Sequence, residues 1–221
     1  MSLRLTYDEL RREVGRFLGY DRDPDNWDTT QTTDVGDIIK SGMRWFYFPN
    51  VGEQRYTWSF LKKVDTISTS SGTATYELAD DFEGLLGGFT YADDAGKRFM
   101  ARTTEREIRS LYAKDYATGS PEYCALRAVQ PGNVDTTRYE VLLYPVPDAS
   151  YTLSYQYSIC PDELSTTNQY HLGGVAHSEC VLESCLAAAE RVMRPEVGPG
   201  VHTQRFQECL QASIKIDSEM Q

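Results

Sequence analysis

Arg138-Tyr-Glu-Val-Leu-Leu-Tyr-Pro-Val-Pro-Asp-Ala-Ser-Tyr-Thr-Leu-Ser-Tyr-Gln-Tyr-Ser-Ile-Cys-Pro161 carries the clearest two-residue repeat in the chain. Tyr151, Leu153, Tyr155, Tyr157 and Ile159 alternate with Thr152, Ser154, Gln156 and Ser158. Side chains change face with that period along an extended strand, so a half-buried strand is predicted. The preceding limb, 139–144, is apolar on both faces beyond Glu140, and so is expected to lie deeper in the sheet. Pro145 and Pro147 cannot donate to a ladder, and with Asp148 they predict a reversal that makes the two limbs a hairpin.

Outward from this stretch the texture stays extended. Residues 64–69 are rich in β-branched side chains, 73–78 follow as a second strand, and 85–91 form a third, with Gly87-Gly88 predicting a bulge or bend. Asp93-Asp-Ala-Gly96 reads as a hairpin turn into a short strand at Phe99 and Met100. Thr103 or Thr104 is placed to cap a short helix over 105–112, residues 123–129 read as a strand, and Pro131-Gly132 turns back towards Arg138. Six or seven antiparallel strands are expected.

Both ends are helical in pattern. Thr6-Tyr-Asp-Glu9 is a capping box, followed by Tyr7, Leu10, Val14, Phe17 and Leu18 on one stripe until Gly19. A polar loop anchored by Trp27 leads to a second helix expected from Thr33 or Asp34, with Val35, Ile38, Ile39, Gly42, Met43 and Phe46 on one side. After Pro161, Val175, Leu182, Cys185, Leu186, Ala189 and Met193 predict a long core helix with Leu182 at the centre of its buried face. A last helix over 203–217 offers only a thin stripe, Phe206, Cys209, Leu210 and Ser213 flanked by Ile214 and Ile216. That stripe, after the breaker Pro199-Gly200, predicts a segment contributing little to the isolated fold. The expected class is α+β: a helical bundle from the N- and C-terminal segments with an inserted antiparallel β domain, sandwich- or barrel-like. Its expected divisions are 1–56, 57–160 and 161–221.

A net charge of -11 excludes a sequence-neutral grip on the DNA backbone, which takes clustered cations. Five cysteines at irregular spacing, with no apolar run able to span a bilayer, point to a reducing, soluble compartment. Fifteen tyrosines suit broad subunit contacts, because each has an apolar body and a polar tip. His177-Ser-Glu179 with Cys180 and Cys185 lacks the second half of a zinc deaminase signature, so no metal site is expected. Cys185 reads as core and Cys180 as a surface or interface thiol, while His171, His177 and His202 are expected to face solvent. Asp80-Asp81 and Asp93-Asp94 stand beside turn residues, which explains them without acid–base chemistry. No cofactor is expected.

Taken in order, Trp58-Ser-Phe-Leu61, Tyr76-Glu-Leu-Ala-Asp-Asp-Phe82, Ser120-Pro-Glu-Tyr123 and Leu143-Tyr-Pro-Val-Pro-Asp148 resemble the head-to-tail adaptor proteins of tailed bacteriophages, the gatekeeper or tail tubular A type. Ala79 departs from the family's usual proline, and Ser120-Pro-Glu from its common second glycine or proline. The resemblance implies a non-enzymatic ring, commonly of twelve copies, in the neck of the virion and in the host cytoplasm during assembly. Its implied partners are a portal protein above and a tail or nozzle protein below, with DNA passing through unbound and no membrane. The family's habit of attaching by its C-terminal end implies portal docking through Phe206, Leu210, Ile214 and Ile216. Two rival readings are a small intracellular enzyme using Asp80, Asp81 or His177, and a tail-completion protein without portal contact.

Overall fold

The computed structural model describes residues 3–92, 99–129, 137–193 and 198–219. Its five α-helices are α1 (Tyr7–Phe17), α2 (Thr29–Tyr47), α3 (Glu105–Lys114), α4 (Ser178–Met193) and α5 (Val201–Ser218). Before α3 the strands are β1 (Asn50–Val51), β2 (Gln54–Arg55), β3 (Lys62–Ser68), β4 (Thr75–Glu77), β5 (Phe82–Tyr91) and β6 (Ala101–Arg102). After it come β7 (Thr118–Gly119), β8 (Tyr123–Val129), β9 (Arg138–Tyr144), β10 (Val146–Pro147) and β11 (Thr152–Ile159). The class is α+β, with N- and C-terminal helices flanking a β-rich middle. Two units divide the chain, one of residues 1–60 and 161–221, the other of residues 61–160.

In the helical unit, the Thr6 box caps α1: Glu9 N–H donates to Thr6 Oγ1 at 3.2 Å and Thr6 N–H to Glu9 Oε2 at 2.8 Å. A second box, Asp28 with Gln31, starts α2 at Thr29, several residues before the expected Thr33 or Asp34. The amide of Gln31 completes the same reciprocal bond as Glu9. Trp27 is buried, with its indole N–H donating to the Asp21 carbonyl at 2.8 Å.

Helix α4 corrects the single-stripe expectation. Leu182 is only half-buried, and Met193 and the preceding Val175 are more than half exposed. Instead Cys180, Val181, Glu183, Ser184, Cys185 and residues 186–189 are all buried, because α1, α2 and α5 each pack on this helix. Small side chains let the neighbours come close. A Cβ on Gly42 of α2 would lie 2.6 Å from Cys185 Cα and 2.8 Å from Cys185 N, so α2 and α4 touch backbone to backbone there.

In the β unit the alternation of β11 is as expected: Leu153, Tyr155, Tyr157 and Ile159 are buried and Gln156 is exposed. The hairpin is not. β11 lies between β3 and β5 in one sheet, whereas β9 lies between β4 and β8 in another, ordered β4-β9-β8-β6. Between them Val146 and Pro147 are buried and pair with β7 in parallel. A link with two prolines cannot form a tight ladder-closing turn, and here it carries the chain from sheet to sheet. β6 also pairs with β8 in parallel, so the unit is not purely antiparallel. The sheets join where Met100 N–H donates to the Phe89 carbonyl at 3.1 Å.

The deep placement of β9 holds. Leu142 packs with Ile108 of α3 and Ala125 on one face, while Tyr139, on the other, meets Phe82 of the opposite sheet at 5.3 Å between centroids. Phe82 stacks on Tyr157 at 5.6 Å, and Phe89 meets Tyr155 at 5.0 Å. Such ring contacts contribute about 0.5–1.5 kcal/mol each beyond area burial. The bulge falls as expected: the pairing of β5 with β11 shifts between Ser154 and Gln156, opposite Gly87 at φ +88°. The helix cap at Thr104 and strand 123–129 also follow the sequence. The turns expected at Asp93-Asp-Ala-Gly96 and Pro131-Gly132 lie outside the described residues.

Candidate docking surfaces

The three groups of the enzymatic reading have structural partners. Asp80 is exposed and ion-paired with Arg138 at 3.4 Å. Asp81 accepts from Lys63 Nζ at 2.6 Å and from the Tyr157 hydroxyl at 2.9 Å. Partial burial works against its ionisation, but those two donors outweigh it and hold the carboxyl below its ordinary value. His177 sits in the helical unit, its ring among Phe46, Trp58 and Phe60 at centroid distances of 5.4 to 6.2 Å.

The histidine and cysteine expectations need correction. His171 and His177 are buried, at 0% and 1% exposure, and Cys180 is as buried as Cys185. Desolvation pushes both thiols up to about 12, which makes them inert fillers at neutral pH. His171 Nδ1 must donate to the Leu172 carbonyl at 2.7 Å, which leaves Nε2 to accept from Ser178 Oγ at 3.0 Å. His177 Nδ1 has no hydrogen-bond partner among the described residues. Trp58 crosses to this cluster and donates from its indole to the Phe46 carbonyl at 2.9 Å, an interior that local sequence does not reveal. Among the described residues no group of three or more His, Cys, Asp or Glu converges to hold a metal ion.

Burial lowers the pKa of both buried histidines below the ordinary 6.5. A lowered histidine favours the neutral folded state, so its contribution is complete above pH 6.5. It is lost as pH falls towards the folded-state value, with a slope of at most about 1.4 kcal/mol per pH unit per group. Urea titrations should therefore show stability falling between pH 7 and 5. His177→Phe, which removes the unpartnered nitrogen, should flatten that dependence without lowering stability at pH 7.5. An unchanged pH profile would remove His177 from the account.

Helix α5 is pinned at both ends. At its start Glu190 of α4 accepts from Thr203 N–H at 3.0 Å and Thr203 Oγ1 at 2.9 Å. Two turns back in α4, the buried Glu183 accepts from His202 Nδ1 at 2.8 Å. At its end the buried Asp217 accepts from the Ser59 amide at 2.9 Å, the Ser59 hydroxyl, and the Tyr56 hydroxyl at 2.8 Å. Burial, with Asp217 alongside, raises the Tyr56 pKa to about 12. Asp217 and Ser59 are 158 residues apart, so no local pattern announces the bond. Of the docking candidates, Phe206 is buried, Leu210 and Ile214 are half-buried, and Ile216 is exposed.

Among the described residues, apolar side chains line two surface cavities. One is in the helical unit, where Phe17, Glu190, Met193, Val201 and His202 line a cavity of about 290 Å³. The other is in the β unit, where Tyr91, Phe99, Pro121 and Tyr123 contribute to a groove of about 340 Å³. Phe99 is 77% exposed and Tyr123 38%. No helix among the described residues is long and apolar enough to cross a membrane.

These features, inert thiols, carboxylates tied into the fold and apolar rings left on the surface, fit a structural role. No curated protein matches the chain. The family described as SU10 adaptor protein matches residues 5–221, spanning both units. The chain belongs to the SU10 adaptor protein family and is a phage head-tail adaptor-type structural protein.

Proposed function

We propose that the chain is the ring-forming connector between head and tail, assembling in about twelve copies below the portal and bounding the DNA channel. The family match over 5–221 carries this reading. A net charge of -11 supports it, because an acidic wall lets DNA slide without adhering. The outer face of α5, with Ile216 exposed and Leu210 and Ile214 at its flanks, is the portal-facing element. Phe206 holds that helix in place from behind.

The test combines size and incorporation. Light scattering of the chain mixed with purified portal should give a complex carrying a ring of this protein. Ile216→Asp should keep its thermal midpoint within about 2 °C, as exposed substitutions do, while losing incorporation beneath DNA-filled heads. Joining to tails but never to portals would favour the tail-completion reading. Full incorporation of Ile216→Asp would move the portal contact elsewhere.

A further inference from the structure

The cavity of the helical unit is a socket with one charged wall. Phe17 of α1, Glu190 and Met193 in the last turn of α4, and Val201 and His202 in the first turn of α5 line it. Phe17 and His202 meet edge to face at 5.1 Å between centroids, and Met193 and Val201 are 51% and 61% exposed. Its volume of about 290 Å³ equals about ten waters at liquid density, enough for one phenyl side chain and not for a helix. A thioether and an aromatic pair are favourable neighbours for a phenyl group. Glu190 accepts only from the neutral amide and hydroxyl of Thr203, and no Lys or Arg pairs with it among the described residues. Arg205 and His202 go to Glu183 instead, at 3.7 and 2.8 Å.

An occupant that suits this socket brings an apolar side chain with positive charge beside it, and this chain has one. Phe99 in the β unit is 77% exposed, more than any other large apolar side chain among the described residues except Leu3. With that exposure it does not fill the socket of its own chain. The two residues before it are Lys97 and Arg98, so covalent connection alone keeps two cations next to the phenyl group. Leu3 also has a cation beside it, but the Arg4 guanidinium lies over Tyr170 of its own chain, 5.1 Å from the ring centroid.

We infer that Phe99 of one copy seats in the Phe17–Met193–Val201 socket of a second copy, with Lys97 and Arg98 against Glu190. The inference rests on the ring reading above and names its lateral contact. Knob and socket are different surfaces and every copy carries one of each. The contact therefore runs head to tail from copy to copy until a ring closes, rather than ending at a two-fold pair.

Photocrosslinking tests it. Full-length chain with a photoreactive benzoylphenylalanine in place of Phe99, assembled on purified portal with isotope-labelled wild type, should crosslink to labelled peptides containing residues 190–202. Label on the socket side shows that the contact is between chains. Phe99→Asp, with wild-type circular dichroism, should weaken assembly roughly thirtyfold or more by sedimentation velocity, as loss of an aromatic anchor does. Lys97→Glu/Arg98→Glu should weaken it roughly tenfold at low salt and less at high salt. An assembled ring with no crosslink to residues 190–202, whether the probe joins the β unit, the portal or nothing, overturns the contact and leaves the ring reading standing. So does a Phe99→Asp protein that assembles like wild type. If wild type forms no ring in solution or on purified portal, the ring reading fails and takes the contact with it.

Discussion

Gly42→Ala lowers stability by about 1–2 kcal/mol, and Gly42→Leu abolishes the native fold. The Cβ of alanine would stand 2.6 Å from Cys185 Cα, 2.8 Å from Cys185 N and 2.9 Å from the Ser184 carbonyl carbon. All three are backbone atoms in the run 183–189 of α4, where every residue is buried, so none can rotate away and α4 itself must shift. Overpacking of a tight core costs roughly 1–3 kcal/mol and sometimes more. Working against this is the helix preference of alanine over glycine, about 1 kcal/mol at an interior position, and the clash outweighs it. Gly36 is the control on the same helix: its nearest neighbour is the Tyr7 hydroxyl at 3.9 Å, so Gly36→Ala should raise stability by about 0.5–1 kcal/mol. Thermal and urea unfolding of the two variants should move in opposite directions. A stabilised Gly42→Ala protein would show that α2 and α4 lie farther apart than described.

Deleting residues 201–221 unfolds the helical unit. The thin apolar stripe of α5 predicts the opposite, a midpoint nearly unchanged, and the anchoring of the helix reverses that expectation. Removal strips Phe206 from the bundle and uncovers a face of α4. It also leaves the buried Glu183 without His202, and the Ser59 amide and hydroxyl without Asp217. Lost burial of one phenylalanine alone costs about 3–5 kcal/mol, and polar groups stranded in the interior add about 1–3 kcal/mol each. That sum is comparable to the whole stability of an ordinary domain, about 5–15 kcal/mol. Asp217→Ala, which keeps the helix but removes its C-terminal anchor, should cost about 2–4 kcal/mol. Far-UV circular dichroism and melting of the truncated chain decide the matter. A truncated protein that melts like wild type would restore the view of α5 as an appendage.

Much of the architecture was legible because it is local. The box at Thr6-Glu9, the cap at Thr104, the bulge at Gly87, the strand 123–129 and the alternation of 151–159 each depend on residues within a few positions of one another. Backbone sterics and side-chain period therefore wrote them directly into the sequence. The order of motifs from Trp58 to Asp148 carried the family resemblance for the same reason, since it is a property of the chain and not of its packing.

What only the tertiary structure decided is what meets across sequence distance. The limbs on either side of Pro145 and Pro147 look like a hairpin, because alternation reports which face is buried and not which strand lies alongside. Their assignment to different sheets depends on β3, β4 and β5, tens of residues away, and on β8. Rings of Phe46, Trp58 and Phe60 pack on His177 and that of Phe46 on His171, so their polarity misled any estimate made from their neighbours in sequence. Helix α5 reads as marginal by its apolar stripe, yet it is held by carboxylates, Glu183 and Glu190 reaching from α4 and its own Asp217 reaching to Ser59. A charge bonded in the interior leaves no periodic trace, because its stabilising partner is chosen by the fold and not by the spacing of residues along the chain.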